Sequence, residues 1–295
     1  MMRRWLTTCL LALALAGCGG RETRDSNESE AAPALWELAH ADGRPAGYLF
    51  GTIHALPAGA EWQTERITAA LEHSDSLVVE VAALDDSAAI ASVFTQLARA
   101  PGQPPLAARV VAEQRPALAD ALDKVGRSQR DFADIETWAA ALILAQAAGE
   151  AENRENGVDR ALLATNRTRP VVELEGAAGQ FAVFDRLPEA GQRILLGAIV
   201  AETNDHPAQS ERLAAAWQRG DMKAIAAEAR SGVLASPPLR EALLDGRNRA
   251  WAARIAGLAD QGGRPFVAVG AAHMAPPGGL PDLLAASGFA VRRIQ

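Results

Sequence analysis

Apolar positions along this chain follow two rhythms. Short runs, alternating or wholly apolar, read as strands at Leu35 to Leu38, Tyr48 to Gly51, Leu77 to Val81, Pro170 to Glu175, Pro265 to Gly270 and Phe289 to Ile294. Between the first two, Ala41-Asp42-Gly43-Arg44 is a turn signal, which predicts a hairpin. Longer stretches repeat at helical spacing and predict helices over 62–73, 86–99, 108–125, 133–148, 157–166, 177–186, 189–202, 208–218, 221–230, 238–260 and 279–287. Pro101, Pro104 and Pro105 separate the second of these from the third. Strands lie at both ends, one lies in the middle, and helices fill the rest. That order argues for an α/β fold: a core sheet of mixed strands with a large α-helical insertion packed on it. No repeat of solenoid length is present. A fainter echo is. YLFGTIH (48–54) and FVAVGAAH (266–273) share the order strand, Gly, two residues, His, and LVVEV (77–81) and VVELE (171–175) are both strands ending near a carboxylate. The echo is consistent with two related half-sheets facing one site.

The first residues show a different pattern. Arg3 and Arg4 precede an apolar run from Trp5 to Ala16, too short for a membrane span, which needs about 20 residues. It fits the core of a secretory signal. The run closes on Leu15-Ala16-Gly17-Cys18, the arrangement in which a lipoprotein peptidase cleaves and the Cys18 thiol carries lipid. The expected organisation is therefore a signal peptide over 1–17, a lipidated Cys18 with a polar tether over 18–33, and a domain over 34–295. Gly19, rather than Asp, comes after the cysteine; in Gram-negative sorting this points to the outer membrane, with the domain facing the periplasm. Residues 19–33 are charged and small and cannot bury enough apolar surface to fold alone.

Composition narrows the chemistry. The only cysteines are Cys9, within the signal, and Cys18, so the mature domain has neither a disulfide nor a thiol nucleophile. A net charge of −7 removes any basic face for nucleic acid. No G-x-S-x-G elbow, Walker loop or dinucleotide-binding glycine pattern occurs.

Two motifs remain. Gly51-Thr52-Ile53-His54 and Gly270-Ala271-Ala272-His273 each come after an apolar strand, in a chain with five histidines. In open α/β sheets ligands bind at the carboxyl ends of strands, where a glycine lets the backbone turn or approach closely. The alternative is that both histidines merely cap strand ends. Glu80 interrupts an apolar run, and a buried carboxylate needs a cation, a metal or hydrogen bonds. A His/His/carboxylate set is a metal grouping used for hydrolysis; otherwise Glu80 opens the exposed end of its strand. Glu173 and Glu175 alternate about Leu174, and either could add a second carboxylate or face solvent. Arg247, with Asn248, sits on an apolar-periodic helix and could pair with a buried carboxylate or hold an oxyanion. Asp159 reads first as an acidic residue at a helix start.

These residues together resemble the TraB/GumN family. The resemblance runs through Leu35-Trp36-Glu37-Leu38, Tyr48 to His54, the strand ending in Glu80, Gly157-Val158-Asp159, Leu174-Glu175 with Gln180, Arg247-Asn248, and Val269 to His273 before Gly279-Leu280, Leu283-Leu284 and Gly288. It implies a Tiki-type α/β core, related to the erythromycin-esterase and ChaN-like groups. It also implies a metal-dependent hydrolase of peptide or amide bonds that uses a divalent ion such as Mn, Co or Zn. His54 and His273 would be metal ligands, Glu80 a ligand or base, and Arg247 an oxyanion or positioning group, with Asp159, Glu175 and Asn248 secondary. Two alternatives stay open: an envelope lipoprotein that binds haem or another small ligand without turnover, and an accessory factor in polysaccharide assembly.

Overall fold

The computed structural model describes residues 32–57, 59–148, 156–202 and 206–295, the side chains of 147–148 and 206–209 excepted. The signal segment, Cys18 and most of the expected tether lie outside the described residues. Everything described falls in one unit, Ala31–Gln295. Among the described residues no helix is long and apolar enough to cross a membrane.

Six strands form one mixed sheet in the order β4-β3-β5-β2-β1-β6. They are β1 (Leu35–Ala39), β2 (Pro45–Thr52), β3 (Ser76–Val79), β4 (Val171–Glu173), β5 (Pro265–Gly270) and β6 (Ala290–Arg293). The predicted hairpin joins β1 to β2, with Asp42 accepting the Arg44 N–H at 3.1 Å to fix the turn. β6 pairs antiparallel with the outer side of β1, while β2, β5, β3 and β4 run parallel to one another. The motif echo is now spatial. β2 and β5 are neighbours with Thr52 opposite Gly270, and β3 and β4 are neighbours with Val79 opposite Glu173. Both Gly-x-x-His segments therefore leave the same edge of the sheet, side by side.

β5 is buried on both faces, from Phe266 through Val269. This explains its continuous apolar run, since a parallel strand covered on both sides cannot alternate. On one face Leu38, Leu49, Val78, Val267 and Val269 pack against Trp251, Ile255, Leu280 and Leu284 from α11 (Gly246–Asp260) and α12 (Leu280–Ala286). On the other, Phe50, Leu77, Val79 and Phe266 pack against α1 (Glu65–Glu72), α5 (Val158–Thr165), α8 (His206–Gln218) and α9 (Met222–Glu228) through Ile67, Leu162, Trp217 and Ile225.

The expected helical insertion has its own core, built from α2 (Ser87–Ala98), α3 (Arg115–Lys124), α4 (Thr137–Ala148), α6 (Gly176–Asp185) and α7 (Glu189–Glu202) around Trp138, Phe132, Leu118 and Leu196. Arg109 is 1% exposed within it and donates to the carbonyls of Pro104, Ile135 and Phe132 at 2.8–2.9 Å. Backbone dipoles thus take the place of a carboxylate partner and tie three loop segments together.

Two helical predictions change. The stretch 108–125 is helical only from Arg115, because Pro116 fits the first turn of a helix and not its interior; short 3₁₀ turns precede it. The stretch 238–260 divides into α10 (Pro237–Arg240), a π turn over Glu241–Asp245, and α11. At Gly246 a Cβ would stand 2.9 Å from the Glu241 carbonyl oxygen, so the wide turn crowds the chain where glycine sits. The extra residue rotates the side chains of α11 by about 100° about the helix axis. This rotation affects Arg247 and Asn248, the first residues beyond the glycine.

Candidate functional site

The site lies at the carboxyl edge of the parallel strands, where doubly wound sheets place their ligands. β2 delivers Thr52 and His54, β3 delivers Glu80, β4 runs into Glu175, and β5 leads into the 3₁₀ turn Ala271–Met274 that carries His273. The glycines of the two motifs give close approach. A Cβ on Gly51 would meet the Ala271 backbone at 3.0 Å, and one on Gly270 would meet Glu80 Oε1 at 3.3 Å. Neither residue needs a left-handed backbone; each supplies room between neighbouring strand ends.

Arg247 organises the acidic side. Its Nε and Nη2 bind Glu175 as a fork at 2.8 and 2.9 Å, and Nη2 also donates to Glu80 Oε2 at 2.8 Å. Nη1 donates to the Leu243 carbonyl at 2.9 Å and faces His273 Nε2 at 3.4 Å. The guanidinium stacks on Trp251, one helical turn on, with Cζ 4.5 Å from the ring centroid. Arg247 is therefore committed to holding side chains in place, with no donor left over for an oxyanion. Glu80 accepts, besides Arg247, the Gly270 N–H at 2.8 Å and Gln180 Nε2 at 3.3 Å. Burial opposes its ionisation, yet Arg247 and the Gly270 N–H prevail and hold its pKa below the ordinary carboxylate range.

The two histidines are tuned in opposite directions. His54 Nδ1 bonds Asp159 Oδ2 at 2.9 Å, while the Thr52 hydroxyl donates to Oδ1 at 2.6 Å. The Asp159 hydrogen bond raises the His54 pKa to about 9. The ring is 74% exposed, so solvent screens part of that pull. Asp159, itself buried, is held below the ordinary range by His54 and Thr52 despite desolvation. The residue read from sequence as a helix-start acid is thus the group that orients His54. His273 is 5% exposed; its Nδ1 pairs with Asn248 Oδ1 at 2.5 Å and its ring packs on Trp251 at 4.3 Å between centroids. Burial, aided by the Arg247 cation, pushes its pKa down to about 3 although Glu80 opposes. At neutral pH the edge carries one cationic imidazole, one neutral imidazole and one carboxylate.

All four primary candidates, His54, Glu80, Arg247 and His273, line one cavity of about 400 Å³. Asp159, Glu175 and Asn248 stand behind them as positioning partners. Sequence reasoning passed over Thr52 and had Gln180 only through the family resemblance. It treated Trp251 as core and Trp217, whose indole donates to the Gly51 carbonyl at 2.7 Å, as core or rim. Of the alternating pair, Glu175 turns inward, whereas Glu173 accepts the Ala82 N–H at 2.6 Å and braces the strand end.

The donors suit a metal by type. Each imidazole is held through Nδ1, by Asp159 or Asn248, so Nε2 can serve as a ligand once it carries no proton, which at His54 requires loss of the second proton. Their placement does not. Among the described residues no three His, Cys, Asp or Glu side chains gather closely enough to hold an ion, and Arg247 Nη1 stands against His273 Nε2.

Residues 34–293 match the TraB/PrgY/gumN family. The chain belongs to that family. It is 30% identical over 250 residues to the uncharacterized protein YbaP of Shigella flexneri, covering 82% of this chain and 89% of that protein. It is likewise 30% identical over 245 residues to YbaP of Escherichia coli K12, covering 80% and 87%. No solved structure matches.

The Arg247 clamp and the His54–Asp159 pair can each be tested. Arg247→Met strands Glu80 and Glu175 as buried charges and should cost about 3–5 kcal/mol in urea unfolding, part of it recovered in Arg247→Met/Glu175→Gln; a loss below about 1 kcal/mol would refute the clamp. A raised imidazole pKa means that the His54–Asp159 pair stabilises the fold below the free histidine value of 6.5 and loses that contribution as pH rises through the folded value near 9. In a proton NMR titration His54 should inflect well above 6.5, and in Asp159→Asn it should return towards 6.5. An inflection that the substitution leaves in place would contradict the assignment.

Proposed function

We propose that this member of the TraB/PrgY/gumN family is a hydrolase of peptide or amide bonds. One observation carries the reading: three titratable groups with divergent pKa values, from three different strand ends, face a single cavity. Such divergence is how one site supplies both acid and base at neutral pH.

The chain's own residues support attack by water and then expulsion of the amine. A water held at Glu80 attacks the substrate carbonyl carbon and gives its proton to Glu80 Oε1, whose Gly270 N–H bond leaves a second lone pair. The cationic His54, aimed by Asp159, donates to the developing oxyanion. As the C–N bond breaks, it passes its proton to the leaving amine. The proton on Glu80 returns to His54 through solvent, so the net reaction adds one water across one amide. Arg247 and the Gly270 N–H keep Glu80 oriented and ionised.

A divalent ion such as Mn, Co or Zn would supply Lewis-acid activation of water and carbonyl. Because the donors do not converge around one centre as they stand, no step above passes through an ion. The family resemblance keeps the ion as a separate proposal, decided by adding it.

The test is the purified domain with a mixed peptide library, assayed after chelation and after adding Mn, Co or Zn. Cleavage should fall at least a hundredfold in His54→Ala and in Glu80→Gln, with folding intact by circular dichroism. Stimulation by an ion would support metal use. Stable retention of haem or another small molecule with no turnover would favour the binding reading, and cleavage indifferent to both substitutions would end the hydrolase reading. The lipid tether is a further proposal of its own. In an expressing Gram-negative host, radiolabelled palmitate should enter the full chain and be lost in Cys18→Ser, and labelling that survives the substitution would overturn it.

A further inference from the structure

We propose that the reacting bond sits at a waist between two chambers, and that the larger chamber selects a bulky apolar side chain of the substrate. The inference rests on the hydrolase reading and adds a substrate class to it. His54, Glu80 and Gln180 line the 400 Å³ cavity and also a second one of about 260 Å³. A substrate contacting these residues therefore has room on both sides of them. This suits an internal bond, with groups continuing in both directions, better than the removal of a small terminal cap.

The two chambers differ. The larger is walled by Leu213, Trp217, Ile225, Val233 and Leu234, contributed by α8, α9 and the 3₁₀ turn Gly232–Ala235. Leu213, Val233 and Leu234 are only partly buried, so an occupant removes apolar surface of the protein as well as its own from water. Burying a Leu or Phe side chain there is enough to set preference by about tenfold or more. An acidic substrate side chain would have to shed its water against these apolar side chains, which costs it affinity. The smaller chamber has Val79, Val81 and Leu84 on its wall with Asp159 beside them, and accepts a shorter group.

The experiment is calorimetry on the folded domain with non-hydrolysable hydroxyethylene dipeptide isosteres carrying Leu, Ala or Asp on either side, run beside cleavage of the matching peptides. The Leu isostere of one orientation should bind about tenfold or more tighter than the Ala isostere, with Asp weakest. Leu234→Trp, which fills the chamber, should erase the Leu-over-Ala ratio; Val233→Trp serves the same purpose should the first variant unfold. Equal affinity for all three side chains, or a ratio that both substitutions leave unchanged, would overturn the proposal. Selective binding without cleavage would retain the chambers and refute the hydrolase. Cleavage with no side-chain preference would retain the hydrolase and refute the chambers.

Discussion

One guanidinium makes the acidic edge of this fold tenable. Glu80 and Glu175 come from different strand ends, are nearly buried, and would repel each other and resist desolvation if left alone. Arg247 pairs with both, and its remaining donors take a carbonyl and an imidazole nitrogen. The states of Glu80 and His273 both reflect that arrangement. Glu80 stays charged because the cation is fixed beside it. His273 stays neutral because it is buried, and the same cation beside its ring adds to that effect.

The backbone is shaped around this contact. The π turn before α11 gives the helix an extra residue just before Arg247 and Asn248. Gly51 and Gly270 let the strand ends approach closely enough for Gly270 to give its N–H to Glu80. The Gly176 and Glu175 N–H groups both donate to the Glu80 carbonyl, so the main chain just beyond β4 holds the residue whose side chain Arg247 grips. Asp159 does for His54 what Arg247 does for Glu80. The two pairs have different exposure: the Arg247 pair is shielded, whereas His54 looks into open space, as expected of a group that exchanges protons with a ligand.

Much of this was legible in the sequence. The hairpin, the parallel strand β5 with its unbroken apolar run, and the pair of Gly-x-x-His motifs all carry local signals, and the family resemblance placed Glu80 and Arg247 at one site. Partnership across the chain could not be read. Asp159 looks like an ordinary acid in a first helical turn, because nothing nearby in sequence announces that Thr52 and His54, more than a hundred positions earlier, will bond it. Glu173 and Glu175 look equivalent by alternation. Only the ending of β4 at Glu173, and the turn after it, separates a strand brace from a site residue. The π turn is invisible to periodicity, since one added residue barely disturbs an apolar count over twenty.

The position of β5 has a consequence for how the chain matures. It lies between β3 and β2, yet it is made almost last, so Tyr48 must wait for Phe266 before it has a neighbour on that side. Until then the ribosome has released two separate strand groups and a helical cluster with no common scaffold. Closure over so long a separation is slow. For a polypeptide threaded through a translocation pore, as the proposed signal segment would require, that delay keeps the sheet from closing until nearly the whole chain has emerged.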